Sequence, residues 1–465
     1  MENQEHQIEA APSSFRRLLH LIGLDAAIAM TIMARGFTVA GSVITVLLIV
    51  RFLSPLQQGF YYTLWSMVAL QVVFELGFTF VILQMAAHER AHLGVNEQGQ
   101  FVGTHDRLQR LASILQKSLR WYMMAAVLML LTLIPAGFYF FRTHQPTGTP
   151  ELWRWPWITT VVASTLTFQM DPLYAFLEGC GQVKDVAKMR FGQSIAGTLM
   201  AWLAIVLGFG LFSPPMVMVG QVLVGAVFLS RRRVIFSPLI RMDTSDHAID
   251  WKTEIWPFQW RIAVSWLCTY LTSSAFTPIV FATRGPIEAG KMGMSINICS
   301  SLGTLAIAWM NTKAAPFGTM IARGERKKLD TLFFRTLWQS TAMLCGGIIA
   351  VLSGLIVLKY VAPKLASRML PPDVFALLLG GFLATHIIQS LAIYLRSHKI
   401  EPFLVQSIVV AIFVSTTAYI SGRFWGITGI GLGYLLCMCG IGLLWASSIF
   451  RTQRRRFNSS MELES

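Results

Sequence analysis

The sequence predicts an all-α protein that threads a bilayer about twelve times, in two six-helix lobes, and three observations carry that expectation. The chain of 465 residues is 54% hydrophobic and only 13% charged, with a mean hydropathy of +0.56, whereas a soluble globule carries roughly a quarter of its residues as charges. Its apolar residues fall into runs long enough to cross a membrane. A turn motif near residue 55 returns after about half the chain.

At roughly 20 apolar residues per crossing, spans are expected near 29–53, 59–84, 121–141, 156–179, 191–213 and 215–234 in the first half. In the second half they are expected near 258–283, 289–313, 333–360, 373–395, 402–421 and 427–450. Between spans one and two, Ser54 to Gly59 breaks the apolar run, with Pro55 blocking helix continuation and Gly59 easing the turn. Pro55, Leu56 and Gly59 fall in step with Pro286, Ile287 and Gly290 at a constant offset of about 231 residues, the mark of an internal repeat. The chain is therefore expected to divide into residues 1–235 and 236–465.

Orientation follows from Lys and Arg in the short loops, whose excess marks the cytoplasmic side. With both termini inside, the inner segments hold about 26 of these residues against about 9 outside, and only the outer loop with Lys359, Lys364 and Arg368 breaks the alternation. Residues 1–14 read as a short cytoplasmic tail lacking the cationic start of a cleaved signal. Phe15 to Leu24, with Arg16 and Arg17 beside an apolar stripe, suits an anionic membrane surface. In the longest inner loop, Asp106 to Arg120 sets Leu108, Leu111, Ile114, Leu115 and Leu119 on one helical face, read as a helix lying on the membrane or a docking face for a partner. Trp153, Trp155 and Trp157 at the outer side, and Trp251, Trp256 and Trp260 at the inner side, read first as interfacial belts. The outer trio also suits stacking on a sugar ring.

The formal net charge of +15 comes without a soluble basic domain or nucleic-acid motif, so no nucleic-acid partner is expected. Cys180, Cys268, Cys299, Cys345, Cys437 and Cys439 form no CxxC pair and read as small packing residues. No phosphate-binding loop, zinc helix or nucleophile elbow is present, so neither an enzyme activity nor a cofactor is expected. Gly429, Gly431 and Gly433 sit inside an apolar run, where close helix packing is the expected role.

Ionisable residues within spans are costly in lipid and mark the positions of interest. Arg35 and Glu75 share an expected depth in spans one and two, as either a structural ion pair or substrate-handling groups. Asp171-Pro172 reads as an N-cap followed by Pro at the first helical position, implying a broken fourth span. Arg261 and Lys313, at the inner ends of spans seven and eight, are placed to snorkel to headgroups. His386 in span ten reads as a packing residue.

The Pro-x-x-x-Gly hairpin, Phe74-Glu-Leu-Gly77 in span two and Phe176-Leu-Glu-Gly-Cys-Gly181 leaving span four together resemble a polysaccharide flippase of the O-antigen (Wzx) type. That family belongs to the multidrug/oligosaccharidyl-lipid/polysaccharide exporter (MOP) superfamily. The resemblance implies two lobes in a V, as in the MATE/MOP fold, around a cavity bordered by spans one, two, seven and eight. It implies a cavity in which cationic residues hold the pyrophosphate of an undecaprenyl-linked oligosaccharide; Arg35, Glu75, Arg261 and Lys313 lie on those spans, and Asp171 joins them as a cavity candidate through the broken fourth span. Arg35 matches that role best; its counterpart at the repeat offset, Trp266, carries no charge. The expected setting is the bacterial cytoplasmic membrane, and the expected partners are the lipid-linked glycan, membrane lipids and other membrane proteins of polysaccharide assembly. A drug or metabolite antiporter of the same superfamily is the alternative. A membrane glycan polymerase or ligase fits less well, because the longest outer loop, about Arg142 to Trp155, is short.

Overall fold

A computed structural model describes residues 26–96, 100–148, 151–244, 250, 256–398 and 402–462; side chains at 26–35, 38, 39, 257, 258, 315, 322 and 458–462 are outside the description. The expectations for residues 1–24 and for Trp251 fall outside the described residues. The chain forms two compact units, Met1–Ile44 and Thr45–Ser465. The first contributes the start of helix α1 (Ala26–Phe52), and everything below concerns the second.

Helices dominate, as the apolar runs require, because a backbone in lipid must satisfy its own polar groups. In order they are α2 (Pro55–Val68), a 3₁₀ turn (Ala69–Gln71), α3 (Val72–Glu75), α4 (Phe78–Arg90), α5 (His105–His144), α6 (Arg154–Gly179), α7 (Val183–Val206), α8 (Ser213–Arg231) and α9 (Arg233–Arg241). The second half continues with α10 (Trp256–Ser273), α11 (Phe276–Arg284), α12 (Pro286–Ala322), α13 (Arg326–Val361), α14 (Pro363–Ala366), α15 (Pro372–Ser397), α16 (Leu404–Phe424), α17 (Gly426–Leu436), a π-helical turn (Cys437–Leu443) and α18 (Leu444–Glu462). A two-residue hairpin, β1 (Gly94–Val95) and β2 (Phe101–Val102), pairs Gly94 with Val102 antiparallel.

By length and hydropathy, 8 helices among the described residues can each cross a membrane, and up to 10 if each bent pair counts as one span. The two bent pairs, Pro55–Glu75 with Phe78–Arg90 and Gln259–Ser273 with Phe276–Arg284, each turn by 44°. They stand where spans two and seven are expected, and α1 and α6 stand where spans one and four are expected.

Three expectations need correction. The helix α6 runs unbroken through Asp171-Pro172, so Asp171 is not an N-cap. Proline removes one N–H bond, but buried Phe168, Pro172, Tyr174 and Ala175 hold both sides of that gap in one packed core. The stretch Asp106–Arg120 does not lie apart on a membrane surface but is the first part of the 40-residue α5. Its Leu111 and Leu115 are fully buried, in a cluster that includes Ile235, Phe236 and Leu239 of α9. The protein itself thus covers that apolar face. Finally, Trp153 and Trp157 are core residues, stacked edge-on or tilted around Phe141, and only Trp155, at 69% exposure, is free to meet an interface. Their indole N–H groups donate to Gln145 Oε1 (2.7 Å) and to the Ile134 carbonyl (3.2 Å), which is what makes a buried tryptophan tolerable.

The glycines of α17 pack as expected. A Cβ at Gly433 would lie 2.5 Å from Thr417 Cγ2 of α16, and one at Gly431 would meet Val374 and Leu377 of α15.

Candidate functional site

The helices α2 and α12 begin on the two matching prolines, each at a first helical turn. Ser54 forms a capping box with Gln57: the Gln57 N–H donates to Ser54 Oγ (3.1 Å) and the Ser54 N–H donates to Gln57 Oε1 (2.9 Å). One turn on, the two helices touch backbone to backbone. A Cβ at Gly59 would sit 1.9 Å from the Pro286 carbonyl oxygen, and one at Gly290 would sit 2.9 Å from the Gly59 nitrogen. Only hydrogen side chains at both positions permit this approach. Phe60, Phe140, Phe141 and Phe281 seal the contact with rings 5.3 to 5.7 Å apart.

A polar latch lies beside this crossing. The buried Gln58 carboxamide donates to the carbonyls of Gly290 (2.9 Å) and Arg368 (3.0 Å). In return, the Arg368 guanidinium donates to Gln58 Oε1 (3.3 Å) and to the Leu53 carbonyl (2.7 Å). Burial lowers the Arg368 pKa, yet arginine stays charged at any physiological pH. The residue that breaks the loop-charge alternation therefore has a structural task, tying the α14–α15 loop to the start of α2. Nothing local in the sequence pointed to this, since Gln58 and Arg368 are 310 residues apart.

Deeper in the first half, the α3–α4 bend falls on Leu76 (φ 50°) and Gly77 (φ 65°), directly after Glu75. Leu76 is the one described non-glycine residue in the left-handed region, a conformation that costs roughly 1–2 kcal/mol and persists only where its surroundings enforce it. Here a Cβ on Gly77 would lie 2.2 Å from Ile262 Cγ2 of α10. The break expected at Asp171-Pro172 thus occurs instead beside Glu75, within the Phe-Glu-Leu-Gly motif.

The bend presents Glu75 to Thr79, whose hydroxyl donates to Glu75 Oε1 and contacts the Tyr122 hydroxyl at 2.7 Å. The Glu75 carboxylate lies within electrostatic range of Asp171, and Arg190 is the cation within range of both. Arg190 itself bonds Glu178 at 3.2 Å. Asp171 makes no hydrogen bond among the described residues. Nearby, Gln193 donates to the Tyr174 hydroxyl (3.1 Å), completing a polar seam between α4, α5, α6 and α7. Two carboxylates within electrostatic range of each other in an apolar helix bundle disfavour having both ionised at once.

The other candidates are distributed differently. Arg35 stands in the unit Met1–Ile44 with its side chain outside the described residues, so the expected pairing with Glu75 falls outside the description. Arg261 is exposed, with its guanidinium 5.5 Å from the Trp260 ring, consistent with a headgroup-level position. Lys313 on α12 is half-buried. Neither has an acidic partner among the described residues, whereas other cations expected at the inner side do. Arg107 and Arg110 both bind Glu89 at 3.0 Å, Arg232 binds Asp185 at 2.9 Å, and Arg454 binds Asp330 at 2.6 Å.

The arrangement is that of a polytopic helical membrane protein with a glycine-mediated helix crossing and two half-buried carboxylates within electrostatic range of each other. In overall fold it is similar to transporters of the MOP superfamily. A MATE-family multidrug transporter in its inward-facing conformation matches with a TM-score of 0.56 at 15% identity, over 89% of this chain and 99% of that one. The same kind of transporter facing outward matches with a TM-score of 0.57 at 14% identity, over 92% and 94%. The lipid II flippase MurJ, inward closed, matches with a TM-score of 0.58 at 11% identity, over 90% and 86%. No family model matches the chain, and no curated protein matches it in sequence.

Proposed function

We propose that this protein moves a lipid-linked oligosaccharide, carried on undecaprenyl pyrophosphate, across a bacterial cytoplasmic membrane by alternating access, making and breaking no covalent bond. Residues 1–235 and 236–465 act as two lobes, and both termini face the cytoplasm. The observation that carries the anionic substrate is the pair of cations without acidic partners among the described residues, Arg261 and Lys313, on helices α10 and α12. A cation held in no salt bridge is available to a pyrophosphate. Arg35 on α1 joins them as the third candidate. The Gly59–Gly290 crossing supplies the joint that separates when the outer side opens, because there the starts of α2 and α12 meet backbone to backbone without side chains between them. With the inside negative, outward movement of an anionic headgroup gains about 2.3 kcal/mol per charge per 100 mV.

A second reading rests on the carboxylate pair. Glu75 and Asp171 suit a cationic substrate or a coupling cation, which favours a drug or metabolite antiporter. Deleting the gene separates the two. Accumulation of an undecaprenyl-linked glycan on the cytoplasmic face, with loss of surface glycan, supports the flippase. Unchanged surface glycan with altered drug sensitivity sinks it in favour of the antiporter. The lipid carrier, membrane lipids and other membrane proteins of polysaccharide assembly are the partners this reading calls for.

A further inference from the structure

A second polar region lies in the other half, unconnected with the carboxylates. Helices α10, α12, α15, α16 and α17 line a half-open cavity of about 340 Å³, room for roughly ten waters or one ring-sized solute at about 30 Å³ per water. No Asp, Glu, Lys or Arg lines it among the described residues. Its polar groups are hydroxyls, carboxamides and one imidazole.

These groups divide into acceptors and donors. Thr269, Thr272 and Ser273 on α10 donate to carbonyls of their own helix at 2.7 to 3.1 Å, so each turns only lone pairs to the cavity. Thr385 likewise donates to the Gly381 carbonyl (2.9 Å) and contacts the Tyr434 hydroxyl at 3.0 Å. Gln389, Ser300 and Ser407 line the same space and have no partner among the described residues, so they offer donors as well. His386 is 3% exposed; its Nε2 lies 3.1 Å from Ser340 Oγ, while its buried Nδ1 has no partner among the described residues. A buried nitrogen left unmatched is unfavourable, and a ligand hydroxyl within its reach would relieve it. The rings of Phe382 and Tyr434, 5.8 Å apart and nearly perpendicular, add an apolar wall.

We infer that this cavity binds one uncharged, hydroxylated ring, a neutral monosaccharide unit, and so reads the glycan and not its phosphate. A sugar hydroxyl both donates and accepts, which matches a lining of mixed donors and acceptors, and its C–H faces suit aromatic walls. A bare cation would find no carboxylate here and would meet the Gln389 amide N–H groups; an anion would find no cation. This assignment rests on the flippase reading and names the part of the substrate that the second half recognises.

The test uses the full-length protein in nanodiscs, titrated with the methyl glycosides of glucose, N-acetylglucosamine and rhamnose, and separately with sodium and tetraethylammonium, read by saturation-transfer NMR. At least one glycoside should bind saturably and be displaced by neither cation. Gly303→Leu fills the cavity without a clash, since a Cβ at Gly303 meets nothing within 4 Å, and should weaken binding by roughly tenfold or more. Gln389→Leu, at an exposed position with no partner, should weaken it several-fold while the fold is kept. No glycoside binding at millimolar concentration, displacement by either cation, or undiminished binding in Gly303→Leu each overturns the assignment. The two readings fail separately: glycoside binding without glycan accumulation in the deletion strain retains the cavity and removes the flippase, while glycan accumulation together with undiminished binding in Gly303→Leu does the reverse.

Discussion

Each half of the protein contains one bent helix pair of 44°, but the two halves do not share a chemistry. The first half carries ionisable groups on its apolar helices, with Glu75, Asp171 and Glu178 half-buried and Arg190 exposed beside them. The cavity of the second half is lined by polar groups without charge, among them His386, Thr385 and Tyr434, with the exposed Gln389 at its edge. The carboxylates of that half appear only at the helix ends, as in Asp330, which accepts from the Tyr394 hydroxyl at 2.8 Å and from Arg454. The contrast teaches that similar helix geometry does not dictate what faces the gaps between helices. Charge in lipid is tolerated only where a matching group is within reach, and the first half supplies one in Arg190.

The largest expected effect comes from imposing the chemistry of the first half on the second. His386→Asp places a carboxylate at a 3% exposed position with no cation lining the cavity beside it, an uncompensated charge worth about 3–5 kcal/mol. Membrane abundance should collapse, and normal abundance would show that the second half tolerates charge after all. Next comes the joint that both halves share. Gly59→Leu must push apart the α2–α12 crossing, an overpacking of about 1–3 kcal/mol. Protein trapped with that end open should lose surface-glycan export while remaining in the membrane, and full export would remove the crossing from the transport cycle. Of similar or smaller size is Gln58→Leu, which leaves Arg368 without its Oε1 acceptor and the Gly290 carbonyl without its donor. A loss of about 1–3 kcal/mol is expected from the unmatched groups, visible as a lower melting temperature in nanodiscs.

The smallest effect on stability, and the one that most sharpens the comparison, is Asp171→Asn. It relieves the like-charge contact with Glu75, so abundance should hold or rise. If the pair couples an ion to transport, export should nevertheless fall, and its dependence on external pH or sodium should flatten. Unchanged export and unchanged ion dependence would leave the carboxylates as packing groups only. The topology beneath all of this is checked by reporter fusions after Thr147 and after Asp246, expected on opposite sides of the membrane; finding both on one side breaks the division into equal halves.

Much of this was legible in the chain itself. Apolar run length placed the helices, because the thickness of a bilayer sets how many residues must be apolar in a row. Pro55 and Pro286 marked two helix starts, since proline fits the first turn, where its missing N–H is not needed. Glu75 and Asp171 were singled out simply as charges within apolar runs, and the structure brings those two together. Their shared cation, Arg190, was counted only as a loop charge, because its approach depends on how α7 folds back on α6.

What the sequence by itself determined was periodicity, helix content, the sites of punctuation and the cost of each charge in lipid, all of which depend on residues near one another in the chain. Tertiary structure decided the rest. It buried Trp153 and Trp157 among phenylalanines, covered the face of Leu111 and Leu115 with α9, kept α6 continuous through Pro172, bent the chain after Glu75, and joined Gln58 to Arg368. Each of these outcomes depends on a neighbour from a distant part of the chain. An apolar or polar side chain announces only that it needs a partner, and packing selects which one it gets.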